Sequence, residues 1–211
     1  MANHNFKVVL LGEGCVGKTS LVLRYIENTF NANNSSTVQA SFLTKKLNID
    51  GERINLAIWD TAGQEQFHAL GPLYYRNSNG AVLVYDITNE SSFPKVKSWV
   101  KELRKMLGAD VNLVIVGNKT DLEKERHVNF EEAENYAKAV GALHFQTSAK
   151  LNEGIEDVFL ALAKKMLELE EQQQLNKTQS LERQNSQRRN VVVVEDDEIT
   201  VPQSKSCCGH S

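Results

Sequence analysis

The sequence predicts an α/β fold, a mostly parallel six-stranded sheet with one antiparallel edge strand and helices on both faces. Helix and strand patterns alternate along the chain at intervals of about 20–30 residues, as they do in α/β sheets. Two apolar runs, Ala81–Tyr85 and Val111–Val116, are continuous and rich in β-branched residues. Such runs are typical of parallel strands that are buried on both faces.

The first part of the chain predicts a strand, a helix and a hairpin. Val8–Leu11 suits a buried strand, and helical spacing follows it at Leu21, Val22, Tyr25 and Ile26. Residues 30–40 are polar and lack periodicity, which indicates an exposed loop. Phe42–Ile49 and Ile54–Trp59 predict two strands, and the Asp50-Gly51 turn between them makes this pair antiparallel.

The second part predicts three more helices and a short last strand, Leu143–Gln146. The helices are predicted from apolar residues that share one face at helical spacing. These residues are Phe93, Val96, Val100, Leu103 and Leu107; Phe130, Ala133, Tyr136, Ala137 and Val140; and Ile155, Val158, Phe159, Leu162 and Met166.

Composition limits the classes of function. The chain has 211 residues, 41% hydrophobic and 24% charged, enough for one globular domain with a sizeable core. A net charge of −3 argues against nucleic acid as a partner. We expect no signal peptide and no membrane-spanning helix, because the chain has no long apolar run. We expect no N-myristoylation, because the residue after Met1 is Ala2. The three cysteines form no disulfide framework, which favours a reducing cytosolic setting.

The pattern changes after Leu169, where the chain becomes rich in Gln, Asn, Ser and charged residues. We therefore expect a globular domain over residues 1–170 and a disordered tail over 171–211. From Asn176 to Ser211 the tail has five basic and five acidic side chains, so it should not be drawn to anionic lipid by charge. Val191–Val194 is either a docking segment or an apolar patch of a disordered tail.

The most informative motif is Gly12–Thr19, which reads Gly-x-x-x-x-Gly-Lys-Thr, the P-loop pattern. It lies between a predicted strand and a predicted helix, as the pattern requires. Backbone N–H groups of such a loop point at phosphate oxygens, with the helix N-terminus behind them. Lys18 should reach the β and γ phosphates, and the Thr19 hydroxyl should ligate Mg²⁺. The predicted phosphate-binding residues are Gly14, Cys15, Val16, Gly17, Lys18, Thr19 and Ser20.

A second motif, Asp60-Thr61-Ala62-Gly63-Gln64, follows the strand Ile54–Trp59. Beside a P-loop strand, Asp60 can hold Mg²⁺ directly or through water. The backbone N–H of Gly63 can approach the γ-phosphate, and Gln64 can orient an attacking water. On its own the pattern more often marks a turn, but the neighbouring P-loop favours the phosphate interpretation.

Two further motifs, Asn118-Lys119-Thr120-Asp121 and Ser148-Ala149-Lys150, each follow a predicted buried strand. Open α/β sheets bind ligands at these carboxyl ends. A carboxylate can accept hydrogen bonds from N1–H and the exocyclic amine of guanine, and adenine lacks that pair of donors. Ser148-Ala149-Lys150 can add a backbone N–H to the guanine carbonyl. The predicted base-binding residues are Asn118, Lys119, Asp121, Ser148, Ala149 and Lys150.

Together with Thr37, these motifs resemble the Ras-like small GTPases over about residues 5–170. The resemblance implies the P-loop small-GTPase fold and slow hydrolysis of GTP to GDP and phosphate. Within that superfamily the chain is similar to the Rab family, through Ile58–Glu65, Tyr74-Tyr75-Arg76 and the Cys207-Cys208 pair. Phe67–Arg76 is most similar to the endocytic Rabs.

The resemblance implies further roles. Thr37 would ligate Mg²⁺ and contact the γ-phosphate, Phe30 would pack edge-on against guanine, and an unsubstituted Gly14 would leave room for the transition state. Lys18, Thr37 and Gln64 would form the catalytic set. Effectors would read the aromatic triad, which comprises Phe42, Trp59 and Tyr74.

Resemblance also implies a membrane tether and a set of partners. Cys207 and Cys208 would each carry a geranylgeranyl group; a C-a-a-X interpretation is ranked lower because Gly209-His210 is not an aliphatic pair. The expected partners are an exchange factor, a GAP, a GDP-dissociation inhibitor, a prenylation escort and effectors of the GTP state. The expected location is the cytoplasmic face of endosomal membranes, with a cytosolic pool.

Three alternatives stay open from the sequence. An ATP-using P-loop kinase or ATPase would share Gly12–Thr19 but would have no use for Asn118–Asp121. A nucleotide-bound scaffold without turnover would normally lose Gln64 or gain bulk at Gly14. A Rab could also act at another membrane.

Overall fold

The computed structural model describes residues 3–32, 37, 40–61 and 71–188. Its strands are β1 Asn3–Leu11, β2 Ser41–Ile49, β3 Glu52–Asp60, β4 Gly80–Asp86, β5 Asn112–Asn118 and β6 Leu143–Thr147. Its helices are α1 Lys18–Glu27, α2 Gly71–Tyr75, α3 Ser92–Leu107, α4 Phe130–Ala139 and α5 Ile155–Arg188, and a 3₁₀ helix spans Thr120–Glu125.

The six strands form one sheet in the order β2-β3-β1-β4-β5-β6. Only the pair β2–β3 is antiparallel, and the other neighbours are parallel. The predicted fold class is therefore confirmed. The parallel strands end at the same edge of the sheet, so the chain that follows β1, β3, β5 and β6 meets there. Each motif predicted to bind nucleotide or metal follows one of these four strands or, in the cases of Asp60 and Asn118, begins with the last residue of one.

The hairpin between β2 and β3 is the predicted Asp-Gly turn. Ile49 pairs with Glu52 across a two-residue loop. Asp50 and Gly51 both have positive φ, 52° and 88°. A two-residue turn with both central residues in this region matches the right-handed twist of the strands.

Two apolar layers cover the two faces of the sheet, because successive side chains of β1 point to opposite sides. Val8 and Leu10 belong to the layer that packs against α1 and α5. Val9 and Leu11 belong to the layer that packs against α3 and α4. All four side chains are at most 2% exposed, so β1 is buried on both faces at the centre of the sheet.

The last helix runs further than we expected from the sequence. α5 continues to Arg188, whereas we predicted a disordered tail from position 171. The segment after Leu169 is rich in Glu, Gln, Leu, Lys and Arg, whose side chains are not branched at Cβ and have high helix propensity without burial. The chain divides into a compact unit Met1–Glu171 and a second unit Gln172–Ser211. The tail beyond Arg188, including Val191–Val194, lies outside the described residues, and the domain division stays a prediction.

Among the helices that the structure describes, none combines the length and apolar character needed to cross a bilayer.

Replacing Phe159 by Ala is expected to lower the free energy of unfolding by about 3–5 kcal/mol. The Phe159 ring is 1% exposed and stacks on Tyr25 with centroids 4.0 Å apart, so truncation opens a cavity between α1 and α5. Urea denaturation measures the loss. Leu160→Ala is the matched control, since its neighbouring side chain on α5 is 37% exposed and should cost about 0.5 kcal/mol. Equal losses in the two variants would contradict this packing.

Candidate nucleotide-binding site

The P-loop joins the end of β1 to the start of α1, and two of its glycines are required by geometry. Gly12 has φ +151°, and a Cβ there would lie 2.3 Å from the carbonyl oxygen of Val84. Gly17 has φ +95°, and a Cβ there would lie 2.4 Å from Nδ2 of Asn118. A side chain at either position would push the loop away from the strands behind it.

Lys18 is buried beneath this loop. It is 5% exposed, and its Nζ donates to the carbonyl oxygens of Gly12 and Glu13, each at 2.9 Å. Burial lowers the pKa of Lys18 to about 8, although the nearby charge of Asp60 acts in the opposite direction. An ammonium held in this way is placed to neutralise phosphate oxygens in the cradle of the loop.

Three oxygen-bearing side chains meet at the start of α1. The Thr19 hydroxyl donates to Oδ2 of Asp60 at 2.6 Å, and the hydroxyls of Thr19 and Thr37 are 2.7 Å apart. Because Thr19 has given its only proton to Asp60, Thr37 must donate to Thr19.

Asp60 is fully buried, and its second oxygen, Oδ1, has no hydrogen-bond partner among the described residues. Burial raises the pKa of Asp60, while the Thr19 hydrogen bond and Lys18 lower it. A buried carboxylate oxygen without a partner, beside two hydroxyls, fits a hard cation such as Mg²⁺. The donors predicted for a metal are therefore brought together. Within the part of the chain that the structure describes, no group of three or more His, Cys, Asp or Glu side chains is arranged so that it could hold a metal ion.

Asn118 ties the base end of the site to the phosphate end. Its side chain is 1% exposed, and Nδ2 donates to the carbonyl oxygen of Val16 at 2.9 Å. Its Oδ1 accepts from Thr147 Oγ1 at 3.2 Å and from the Ala149 N–H at 3.4 Å. The sequence predicted Asn118 as a base-binding residue; its described side-chain contacts are with the P-loop, with the last residue of β6 and with the segment that follows β6.

Asp121 is the carboxylate predicted to read the base. Ser148 Oγ donates to its Oδ1 at 2.7 Å, and Lys150 Nζ lies 3.8 Å from its Oδ2. The Asp121 side chain is 11% exposed, so a ligand that pairs with it would be shielded from water. Lys119 has φ +71°, and its Nζ lies 2.6 Å from Oδ2 of Asp86.

A second bridge joins the two base-end loops behind Asp121. Arg126 donates to both oxygens of Glu123 at 2.7 Å and to Oε1 of Gln146 at 2.8 Å. Glu123 lies two residues after Asp121, and Gln146 lies two residues before Ser148. The planar guanidinium therefore fixes the separation of the loops that flank the proposed base position.

These groups surround one cavity of about 450 Å³, a size typical of small-molecule sites. The predicted residues that line it are Gly14, Cys15, Gly17, Lys18, Thr19, Ser20, Phe30, Thr37, Asn118, Lys119, Asp121, Ala149 and Lys150. Val16 and Ser148 lie behind the lining, buried against the loops that they brace.

Three lining residues were not predicted: Asn31, Ala32 and Leu122. Asn31 and Ala32 are the two residues after Phe30, and Leu122 directly follows Asp121, so their nearness in the chain to a predicted residue was the available signal.

The aromatic residues of the predicted triad are adjacent in space. Phe42 pairs with Trp59 across the hairpin, with ring centroids 5.3 Å apart in an edge arrangement. The ring centroids of Trp59 and Tyr74 are 6.2 Å apart. Phe42 is 55% exposed, so the three rings present an apolar aromatic surface on β2, β3 and α2.

Four predicted functional residues lie outside the described residues: Gly63, Gln64, Cys207 and Cys208.

Comparisons with known proteins agree with this geometry. The family model described as Ras family matches residues 7–168, so the chain belongs to the Ras family of small GTPases. The chain is accordingly a GTPase. Members of this family bind GTP, GDP and Mg²⁺.

Within the family the chain is similar to Ras-related protein Rab-21 of several organisms. It is 63% identical over 205 residues to that of Mus musculus, covering 97% of this chain and 92% of the relative. It is 62% identical over 205 residues to that of Homo sapiens, covering 97% and 91%. It is 62% identical over 163 residues to that of Dictyostelium discoideum, covering 77% of each. The predicted resemblance to the Rab family is confirmed, and the chain is a Rab-type small GTPase of vesicle trafficking.

Replacing Gly17 by Ala is expected to weaken nucleotide binding at least about tenfold, because the new methyl group would displace the Asn118 amide. Equilibrium titration with a fluorescent guanine nucleotide measures the loss. Gly51→Ala is the matched control: Gly51 has φ +88°, so its backbone strain is comparable, but nothing lies within 4 Å of the new Cβ. Equal affinity in the two variants would contradict the role given to the Gly17–Asn118 contact.

Proposed function

We propose that this chain is a membrane-anchored switch that cycles between GTP-bound and GDP-bound states and recruits effectors in the GTP state during endocytic trafficking. The observation that carries the proposal is the Asn118 amide, which links the base-reading loop to the P-loop within one cavity. A single ligand with a base at one end and phosphates at the other fits this arrangement, and Asp121 selects guanine.

The reaction is GTP + H₂O → GDP + phosphate. A water oxygen forms a bond to the γ-phosphorus as the bond to the β–γ bridging oxygen breaks. Lys18 stabilises charge on the β and γ phosphates, and Gln64 orients the water. Thr19, Thr37 and Asp60 would hold Mg²⁺, which when bound neutralises charge on the β and γ phosphate oxygens. The sequence shows no motif for an arginine finger supplied in cis, so turnover should be slow until a GAP stabilises the transition state.

The switch follows from the same contacts. The γ-phosphate holds Thr37 and the Gly63 backbone, and hydrolysis releases both. Effectors bind the GTP-ordered surface, including the aromatic triad Phe42, Trp59 and Tyr74, and an exchange factor reopens the site. A GDP-dissociation inhibitor extracts the GDP form, and a prenylation escort presents the chain for lipidation.

Geranylgeranyl groups on Cys207 and Cys208 attach the switch to the cytoplasmic face of endosomal membranes. A single lipid chain gives only marginal and reversible binding, so two are required for stable attachment. Extraction of the GDP form accounts for the cytosolic pool.

Asp121→Asn is expected to lower affinity for GDP at least about a hundredfold and to raise affinity for xanthosine diphosphate. An asparagine cannot accept both guanine N–H groups, whereas xanthine carries a carbonyl in place of the exocyclic amine. Competition against a fluorescent nucleotide measures both affinities. Asp110→Asn removes an equal charge at an exposed position and should change neither. Unaltered GDP affinity in Asp121→Asn would refute a guanine site.

Gln64→Leu is expected to slow intrinsic GTP hydrolysis at least about tenfold, since leucine cannot orient water. Single-turnover assays without a GAP measure this step directly. Gln173→Leu makes the same substitution at an exposed position of α5 and serves as the control. An unchanged rate in Gln64→Leu would remove that residue from the mechanism.

Replacing both Cys207 and Cys208 by Ser is expected to leave the protein entirely in the cytosol, because no lipid can then be attached. Fractionation of cells that express the full chain measures the membrane-bound share. Cys207→Ser alone should give weak, reversible binding, intermediate between wild type and the double variant. Persistent membrane binding by the double variant would reveal a different anchor.

A further inference from the structure

We propose that Arg24 is a positioning residue for the base end of the nucleotide site. It joins the cavity wall formed by Phe30 to the wall formed by Ala149 and Lys150, and thereby sets how long a bound guanine nucleotide stays. This inference rests on the proposed function, because it concerns retention of the same nucleotide.

The Arg24 guanidinium donates to three backbone carbonyl groups and one side-chain oxygen, which belong to the segment after β6 and to Asn28 at the end of its own helix. Its Nε donates to the carbonyl oxygen of Ala149 at 2.9 Å, and Nη2 donates to that of Lys150 at 3.2 Å. Its Nη1 donates to the carbonyl oxygen of Asn28 at 3.0 Å and to Asn28 Oδ1 at 3.3 Å. All three nitrogens of the planar fork are engaged, which a lysine could not reproduce.

The same guanidinium also contacts the aromatic wall. Its central carbon lies 5.8 Å from the centroid of the Phe30 ring, within the range of a cation–π interaction. Phe30 is 36% exposed and lines the cavity, so Arg24 contacts a ring that forms part of the cavity wall. Arg24 itself is half-buried and is not among the cavity-lining residues, so it acts through Phe30, Ala149 and Lys150.

Ala149 is held on both sides as a result. Its N–H lies 3.4 Å from Asn118 Oδ1, and its carbonyl oxygen accepts from Arg24. The loop that is to offer a backbone N–H to the guanine carbonyl is therefore fixed before the ligand arrives. Preorganisation of this kind lowers the ordering cost of binding and slows release.

The position of Arg24 on α1 connects the two ends of the ligand. α1 begins at Lys18, at the proposed phosphate end of the cavity, and Arg24 lies in its last turn, at the proposed base end. The helix is capped by Asn28 in the left-handed conformation, with the Asn28 N–H donating to the Arg24 carbonyl oxygen at 3.0 Å. A cation in the last turn is also favoured by the helix dipole. One short helix thus supports both recognition loops.

The test measures dissociation of a fluorescent GDP from the full chain after addition of excess unlabelled GDP. Arg24→Ala should release GDP at least about tenfold faster, because several charge-assisted hydrogen bonds are lost together. A non-hydrolysable GTP analogue should be released faster by a similar factor, since the contact lies at the base. Arg24→Lys should fall between wild type and Arg24→Ala.

Two controls separate positioning from general loosening. Single-turnover hydrolysis of GTP already bound to Arg24→Ala should stay within about twofold of wild type, because the phosphate end is untouched. Lys97→Ala removes a comparable long cation, which pairs with Glu132 at 2.8 Å and lies 4.7 Å from the Phe93 ring centroid. Its GDP release should match that of wild type.

The proposal is overturned if Arg24→Ala releases GDP at the wild-type rate, or if its hydrolysis rate falls as far as its nucleotide retention. Should Arg24→Ala fail to fold, Arg24→Lys carries the test, and wild-type release by that variant also overturns the proposal. If instead the proposed function is wrong, the wild-type chain itself will not retain fluorescent GDP, and neither will any variant at position 24.

Discussion

The site depends on the contact between the Asn118 amide and the P-loop. Nδ2 of Asn118 reaches the Val16 carbonyl oxygen only because Gly17 has no side chain. A buried amide that lost this acceptor would carry the full cost of an unsatisfied donor, so the loop and the strand end hold each other in place. The loop predicted to bind phosphate and the carboxylate predicted to read the base therefore line one cavity, although 102 residues separate Asn118 from Val16.

The sheet makes this contact possible. β1 and β5 lie on either side of β4, all three run parallel, and their carboxyl ends share one edge. Because β1 is buried on both faces, the position of its last residue is fixed in the sheet. The P-loop leads from that position into α1. Positioning of polar groups at such an edge follows from the topology of open α/β sheets rather than from local sequence.

Much of this arrangement could be predicted from the sequence. The α/β class, the Asp-Gly hairpin and the cavity lining follow from patterns that are local or nearly so, since turns, strand runs and P-loops are each encoded within a few residues. The contacts of Asn118 and Arg24 could not be predicted, because each joins segments that only the folded sheet brings together. The length of α5 was missed for another reason: residues after Leu169 bury little, and burial was the criterion, whereas their helix propensity was sufficient. The sequence could not show that Asp60 Oδ1 is buried without a hydrogen-bond partner among the described residues, and this observation supports a metal site there.

One cavity is proposed to bind the base and the phosphates of a guanine nucleotide together. Displacement of a bound fluorescent GDP by unlabelled competitors tests it most directly, because GDP and ADP carry the same phosphates and differ in the base. GDP and GTP should displace the probe, whereas ADP and ATP should fail to do so even at about a thousandfold higher concentration. Adenine lacks the two N–H donors of guanine and would leave the Asp121 carboxylate unpaired. Equal displacement by GDP and ADP would show that the P-loop binds phosphate without the base being read, and would contradict the account.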